Sequence, residues 1–380
     1  MAVAPTFSFS DDFHTGLDEL LFQVCDELQL PPARHDLAVQ RYEALGDVLE
    51  SERSPFRLYS PNIYPQGSMA LVTTVKPVEG PHDLDFVLEL SLAHNTVNPM
   101  RLINALFEFL RGHGVYGPMT TPKRRCVRVK YADDFYMDIL PACRNGSGVG
   151  TSIKVPDRAI GGWTDSDPLG YISWFDQRCR VRFVARIMDK AAPVPAQQAV
   201  AEKKPLQLAV QLLKRWRDLH YANGDPDLAP ISIVLTTLAG HAYRGERSVS
   251  RGLTEVLGGI VGFMDDARRR GARLQVLNPT NDREDLSERW DTNPSAYLAF
   301  ETGMRGFRDR WSRLIARGGN VDAELELLFG EPPVKAALKK RAQRLQESRL
   351  AGGLGVTGSG IITSSRAGTL IRPNTFYGDE

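Results

Sequence analysis

The chain has 380 residues, 42% of them apolar and 24% charged, with a formal net charge of +1. That is enough chain for one large or two ordinary domains. The near-neutral balance offers no bulk basic surface for nucleic acid or anionic lipid. A site that takes nucleotides one at a time needs only a local basic pocket. The 4 cysteines include no CxxC or CxxH spacing, so they read as buried thiols of a reducing, cytoplasmic setting and not as a zinc site. The first residues carry acidic side chains and no long apolar run, and no stretch is long and apolar enough to cross a membrane.

In chain order, Leu17, Leu20, Leu21, Val24 and Leu28 recur at helical spacing and predict a helix from about Phe13 to Leu28. Pro31 and Pro32 end it, and a second helix from Ala33 to Leu49 follows, the pair forming a spine. Gln66-Gly67-Ser68 opens a short helix. Leu84 to Leu90 reads as a strand with Phe86, Leu88 and Leu90 on one face. Pro99 to Gly112 is a further helix. Cys126–Tyr131 and Phe135–Leu140 are strands joined at Ala132-Asp133-Asp134, a turn whose acidic pair reads as solvated.

The rest is mostly helical, with expected helices at Gly170–Asp189, Pro205–Tyr221, Pro230–Tyr243, Arg251–Arg270, Ser295–Ala316 and Asp322–Ser348. The last is rich in Lys, Arg, Glu and Gln and reads as a surface helix. The Gly/Ser/Thr-dense stretch beyond it reads as flexible or draped over the body. The expected organisation is α+β and two-lobed: residues 1–165 form a catalytic core with a small mixed sheet and the spine helices, 166–350 a helical lobe, and 351–380 a tail.

Asp83 and Asp85 sit at i and i+2 of a strand, so both carboxylates leave the same face. Asp138 lies in the apolar strand FYMDILPA, where an acid is costly to bury alone and wants a partner or a metal. If the two strands are neighbours, three carboxylates meet in a hard-oxygen site suited to two Mg²⁺ ions, or Mn²⁺. Gly67 and Ser68, with Gln66 before them, offer close backbone approach and hydrogen-bond donors to a triphosphate. The bland alternatives are surface carboxylates beside a turn, an Asp138 satisfied by a backbone amide or by Arg144, and Ser68 as a plain helix cap. Each element is weak alone; the ordered set of Gly-Ser, Asp-x-Asp and Asp in an apolar strand is strong. His82 points to the opposite side of its strand. Lys123-Arg124-Arg125 and Arg128-Lys130 read as a solvated strand face. The tryptophans read as core, with Tyr171 or Trp174 able to stack a base at the mouth of a cleft.

QGSMALVTTVKP, HDLDFVLEL and YMDILPA together resemble the polymerase β type of nucleotidyltransferase. GGWTDSDPLGYISWF, LQLAVQLLKRWRD, ISIVLTTLAGHAY and LNPTNDREDLSERW narrow the resemblance to the bacterial CD-NTases, relatives of cyclic GMP-AMP synthase and oligoadenylate synthase. The resemblance implies a synthase that condenses ribonucleoside triphosphates (ATP, GTP or pyrimidine nucleotides) into a cyclic di- or trinucleotide for anti-phage signalling. Its product would switch on an effector encoded nearby, with regulatory proteins from the same operon as further partners and no activation by double-stranded DNA. Carried over by motif, Gly67 and Ser68 hold the triphosphate, Asp83, Asp85 and Asp138 bind metal, and Lys214 and Ser232 match phosphate-contacting positions, although Arg215 and Arg217 could serve in place of Lys214. The rival readings are a terminal nucleotidyltransferase acting on RNA or protein, and an inactive nucleotide-binding regulator.

Overall fold

The computed structural model describes residues 9–131, 135–145, 150–179, 198–317, 320–356, 362–363 and 369–370. Two helices open the chain, α1 (Phe9–Glu27) and α2 (Pro32–Glu50). The apolar stripe of α1 is fully used: Leu17, Leu20, Leu21, Val24 and Leu28 are all buried. Pro32 occupies the first turn of α2, where a missing N–H costs nothing. The two helices part company: α1 packs with the helices of the second half of the chain, and α2 packs on the sheet.

After β1 (Asn62–Pro65), the one-turn helix α3 (Gly67–Ala70) leads into β2 (His82–Ala93). Helix α4 (Pro99–Arg111) is capped by Asn98, whose side chain accepts from the Arg101 amide. The strands β3 (Thr120–Pro122), β4 (Val127–Tyr131), β5 (Phe135–Arg144), β6 (Ile153–Asp157) and β7 (Gly162–Ser166) follow. The sheet runs β1-β2-β5-β4-β3, with β6 pairing the far end of β5 and β7 pairing β6; β2 and β5 are parallel and the other pairs antiparallel. It is a mixed sheet, larger than the three strands legible in the sequence.

Alternation decides its two faces. Leu84, Phe86, Leu88 and Leu90 of β2, Phe135, Met137 and Ile139 of β5, and Val127, Val129 and Tyr131 of β4 pack with α2 and α4 in one core. The odd-numbered side chains of β2 must then face the other way. Val87 joins a small cluster with Tyr64, Ala142, Ile153 and Val155, while Asp83 and Asp85 open onto a cleft.

The helical lobe contains α5 (Pro168–Arg178), α6 (Pro205–Ala222), α7 (Ser232–Ala242) and α8 (Val249–Arg269). A hairpin of β8 (Leu277–Asn278) and β9 (Asn281–Asp285) precedes α9 (Arg289–Thr292), α10 (Pro294–Arg317), α11 (Val321–Phe329) and α12 (Glu331–Leu350). The single helix expected from Asp322 to Ser348 is in fact two. Gly330 adopts φ 94°, outside helical space, and Pro332 and Pro333 then restart the chain as α12. Most of α12 is exposed, while Val334 and Ala337 are buried. The helix expected from Gly170 to Asp189 begins two residues earlier and is described to Arg178; residues 180–197, like the Asp133-Asp134 turn, lie outside the described residues. In the tail, β10 (Gly355–Val356), β11 (Ile362–Thr363) and β12 (Thr369–Leu370) pair as a small sheet. No helix among the described residues is long and apolar enough to cross a membrane.

Candidate active site

The register of the sheet carries the site. Asp85 of β2 stands opposite Asp138 of β5, and Asp138 stands opposite Arg128 of β4, so the three form one row on the cleft face. Asp83 lies one pleat along, opposite Tyr136. Asp138 is nearly covered, with 15% of its side chain exposed, whereas Asp83 is 60% exposed. Burial, then the charges of Asp138 and Asp83, push the Asp85 carboxyl up to about 7. Burial and the Asp138 charge likewise raise Asp83, against the pull of Arg128. Three carboxylates crowd this face, and Arg128 is the cation set among them.

Arg128 was expected on a solvated face and is not there. Its Nε and Nη2 donate to the two oxygens of Asp138, each at 2.7 Å, and Nη2 lies 3.2 Å from Asp83 Oδ1. Arg144, the other candidate partner for Asp138, pairs with Glu89 instead. Arg124 and Arg125 stay partly exposed but are not merely solvated: they close on the buried Asp157 carboxylate of β6 and on Glu288 ahead of α9. Burial pushes Asp157 up, but hydrogen bonds from both arginines and the Ala159 amide outweigh it and hold the carboxyl at about 2.

Gly67 is required twice. Its φ is 60°, and a Cβ there would stand 2.8 Å from Asp85 Oδ2. The Gln66 amide donates to the Asp85 carbonyl at 2.8 Å, which stitches the turn to β2. Ser68 is therefore set beside the acidic row, its hydroxyl accepting from Thr74 Oγ1 at 3.4 Å.

Behind this turn, helix α6 grips the chain that follows. Gln207 Nε2 donates to the Leu71 carbonyl, Gln211 Nε2 to the Thr74 carbonyl, and Lys214 Nζ to both Thr73 oxygens. Positions 207, 211 and 214 share one face of the helix. Val72 within the gripped segment sits at φ 56°, a costly conformation for a β-branched residue. Lys214 is thus no surface lysine. It is buried, and burial and Arg217 lower its ammonium to about 7. Arg217, one turn away, donates to Ser232 Oγ at 2.6 Å at the start of α7.

A cleft of about 590 Å³ takes in Gln66, Gly67, Ser68, Asp83, Asp85, Asp138, Lys214 and Ser232 together. This volume is within the range of small-molecule sites. Its far wall adds Ser166, Asn278 and Glu284, from segments that carried the resemblance but to which no site role was assigned. Glu284 of β9 accepts from Asn278 Nδ2 at 2.8 Å and from Ser166 Oγ at 3.4 Å, and burial raises its carboxyl. Tyr171 lines the cleft but is buried and bonded to Thr237 Oγ1 at 2.8 Å; Trp174 is packed against His241 and Gly240. His82 is buried on the opposite face of β2, and its imidazole is lowered to about 4 by burial, Lys214 and Arg34.

Three oxygen donors facing one another beside a glycine turn fit hard divalent cations by residue type and by charge. Among the described residues, no three His, Cys, Asp or Glu side chains stand together at cation-holding distances in this conformation, in which Arg128 engages both oxygens of Asp138.

A mixed sheet with Asp-x-Asp and a third Asp on adjacent strands, a Gly-Ser turn at their edge and a helical lobe across the cleft define a nucleotidyltransferase of the polymerase β kind. Residues 17–178 match the Second Messenger Oligonucleotide or Dinucleotide Synthetase domain. The chain is 30% identical over 372 residues to a c-di-GMP synthase of Roseivirga ehrenbergii, covering 96% of this chain and 98% of that protein. It is 29% identical to the cyclic dinucleotide synthase CdnG of Bradyrhizobium diazoefficiens over 95% of this chain and 92% of that protein. The solved structure of that CD-NTase with GTP superposes with a TM-score of 0.71 at 25% identity, covering 86% of this chain and all (100%) of that one. The CdnC structure of E. coli MS115-1 with ATP shares the fold, with a TM-score of 0.59 at 14% identity over 83% of this chain and 98% of that chain. The chain belongs to the bacterial CD-NTase family.

Proposed function

We propose that this CD-NTase, a cyclic oligonucleotide synthase, uses GTP and makes a cyclic dinucleotide, cyclic di-GMP. The observation that carries the reading is near-full-length similarity to a c-di-GMP synthase in a chain whose register sets Asp85 against Asp138 beside Gly67-Ser68. Asp83, Asp85 and Asp138 would hold two Mg²⁺ ions, or Mn²⁺. When bound, the ions would supply charge neutralisation at the triphosphate and activation of the attacking hydroxyl.

The residues then divide the labour. Gly67 and Ser68 seat the donor triphosphate through their backbone amides and the Ser68 hydroxyl, and Gln66, tied through its amide to Asp85, offers its side chain beside them. Arg217 and Ser232 flank the cleft from the helical lobe, and Lys214 holds the Thr73 backbone behind the triphosphate. A 3′-hydroxyl of the acceptor forms its bond to the donor α-phosphorus as the bond to the β-phosphate bridging oxygen breaks. The proton passes to Asp138 and pyrophosphate leaves. The linear intermediate turns over and repeats the step to close the ring. A guanine base fits the far wall. The Glu284 carboxylate can accept from the ring N–H and amino group, and the Asn278 amide can donate to the exocyclic carbonyl oxygen, an edge that adenine does not present.

The expected product is a phosphatase-resistant cyclic di-GMP made from GTP and Mg²⁺ alone, read by mass spectrometry with all four triphosphates present. Product formed only when RNA or protein is added would overturn the reading in favour of a terminal nucleotidyltransferase. Within a cell we infer a role in anti-phage signalling through an effector activated by the product, tested by phage plaque counts with intact and Asp85→Asn enzyme.

A further inference from the structure

The alternation of β4 that buries Val127, Val129 and Tyr131 sends Arg128 to the cleft face. The antiparallel register then places it directly opposite Asp138. The guanidinium fork matches the carboxylate oxygen for oxygen, and its Cζ rests 4.7 Å from the centre of the Tyr136 ring. Only 18% of the arginine side chain is exposed. It is thus a well-held cation in the middle of a cation site. Both Asp138 oxygens carry a short charge-assisted bond, and a metal needs at least one of them.

We propose that Arg128 is a positioning residue that competes with divalent cations for Asp138. Before metal arrives, it supplies positive charge to the acidic row and keeps the three carboxylates from repelling one another apart. A cation held by Asp138 would have to take an oxygen from the guanidinium, and Arg128 would aim the carboxylate through the contact it keeps. Metal occupancy is thereby set against a resident charge, so the ions bind firmly only when a triphosphate adds its own negative charge to the cleft. The inference rests on the metal-holding role proposed for the three aspartates.

The test is Mn²⁺ binding to the full-length, nucleotide-free protein, followed by electron paramagnetic resonance of the free ion and by thermal melting. Arg128→Gln is expected to bind Mn²⁺ at least about tenfold more tightly than wild type, on the scale of removing one like charge beside a partly screened site. It should melt lower than wild type without metal and gain more melting temperature when Mn²⁺ is added. A purely structural role for Arg128 would lower the melting point and leave Mn²⁺ affinity unchanged, and that result overturns the inference. If Arg128→Gln does not fold, Arg128→Met decides: it removes both the charge and the fork while keeping an apolar stem against Tyr136, so tighter Mn²⁺ binding supports the competition and unchanged binding sinks it. A wild-type protein that takes no Mn²⁺ with or without GTP overturns the metal reading itself, and the inference with it. Normal binding that ignores the substitution overturns the inference alone.

Discussion

The floor and the far wall of the cleft are built on different principles. The floor is one sheet, and its chemistry follows from strand alternation and register over three adjacent strands. The far wall is assembled from the hairpin of β8 and β9, the edge of β7, the second half of α6 and the start of α7, whose residues meet only in the folded chain. Changes to the floor should therefore abolish chemistry and spare the fold. Changes to the wall should alter which nucleotide is chosen, or how well the lobes hold together.

The sharpest test of the floor is Asp85→Asn. It should lower pyrophosphate release by about 10³-fold or more, the scale of losing several kcal/mol of transition-state charge stabilisation. The melting temperature should not fall, because the substitution removes a buried charge that its acidic neighbours oppose. Comparable activity in the variant would remove the floor from the chemistry. For the wall, Glu284→Gln should cut kcat/KM for GTP by about 10²-fold while leaving any ATP turnover nearly unchanged, since the amide can still accept from Asn278 and Ser166 but no longer offers two acceptor oxygens to the guanine edge. An equal fall for both nucleotides would mean that Glu284 supports the hairpin and does not read the base.

The smallest expected effect concerns the seam between the lobes. Asp157 is fully buried under two arginines that also reach Glu288, and Asp157→Asn should cost about 1–2 kcal/mol of stability in urea at pH 7, discounted because Arg124 is 48% exposed. Its folded carboxyl is depressed to about 2, below the ordinary value near 3.9. The contribution is therefore present above about pH 4 and fades as pH falls toward 2. Wild type should lose this increment over that window and the asparagine variant should not. Parallel acid curves for the two would assign the depression to something other than the arginines.

The sequence made the floor legible and left the wall nearly silent. Asp83 and Asp85 at i and i+2 announce their shared face, and Asp138 announces itself as an acid in an apolar strand. Arg128 alternates just as regularly in β4, yet nothing local distinguishes a strand arginine facing water from one facing a carboxylate on the next strand. β7, GWTDS, is short and polar with little apolar alternation, and β6, IKVPD, offers only Ile153 and Val155 before Pro156, too short a run to announce a strand. Asn278 and Glu284 lie in LNPTNDREDLSERW, a segment that carried the resemblance without a role for either residue; the pairing of Asn278 with Asn281 sets the hairpin from which Glu284 reaches Ser166. Lys214 was placed at the site by resemblance, and its bonds to Thr73 depend on the loop opposite, not on its own helix.

The segment from Leu71 to Thr74 has a consequence beyond its own geometry. Val72 occupies a backbone region that a free chain would leave, and donors from a single face of α6 on the other lobe bind its neighbours Leu71, Thr73 and Thr74. Its shape is borrowed from the opposite half of the molecule. A small slide of α6 along the seam would let the segment relax and carry Ser68 with it, so the alignment of one half can be felt as readiness in the other.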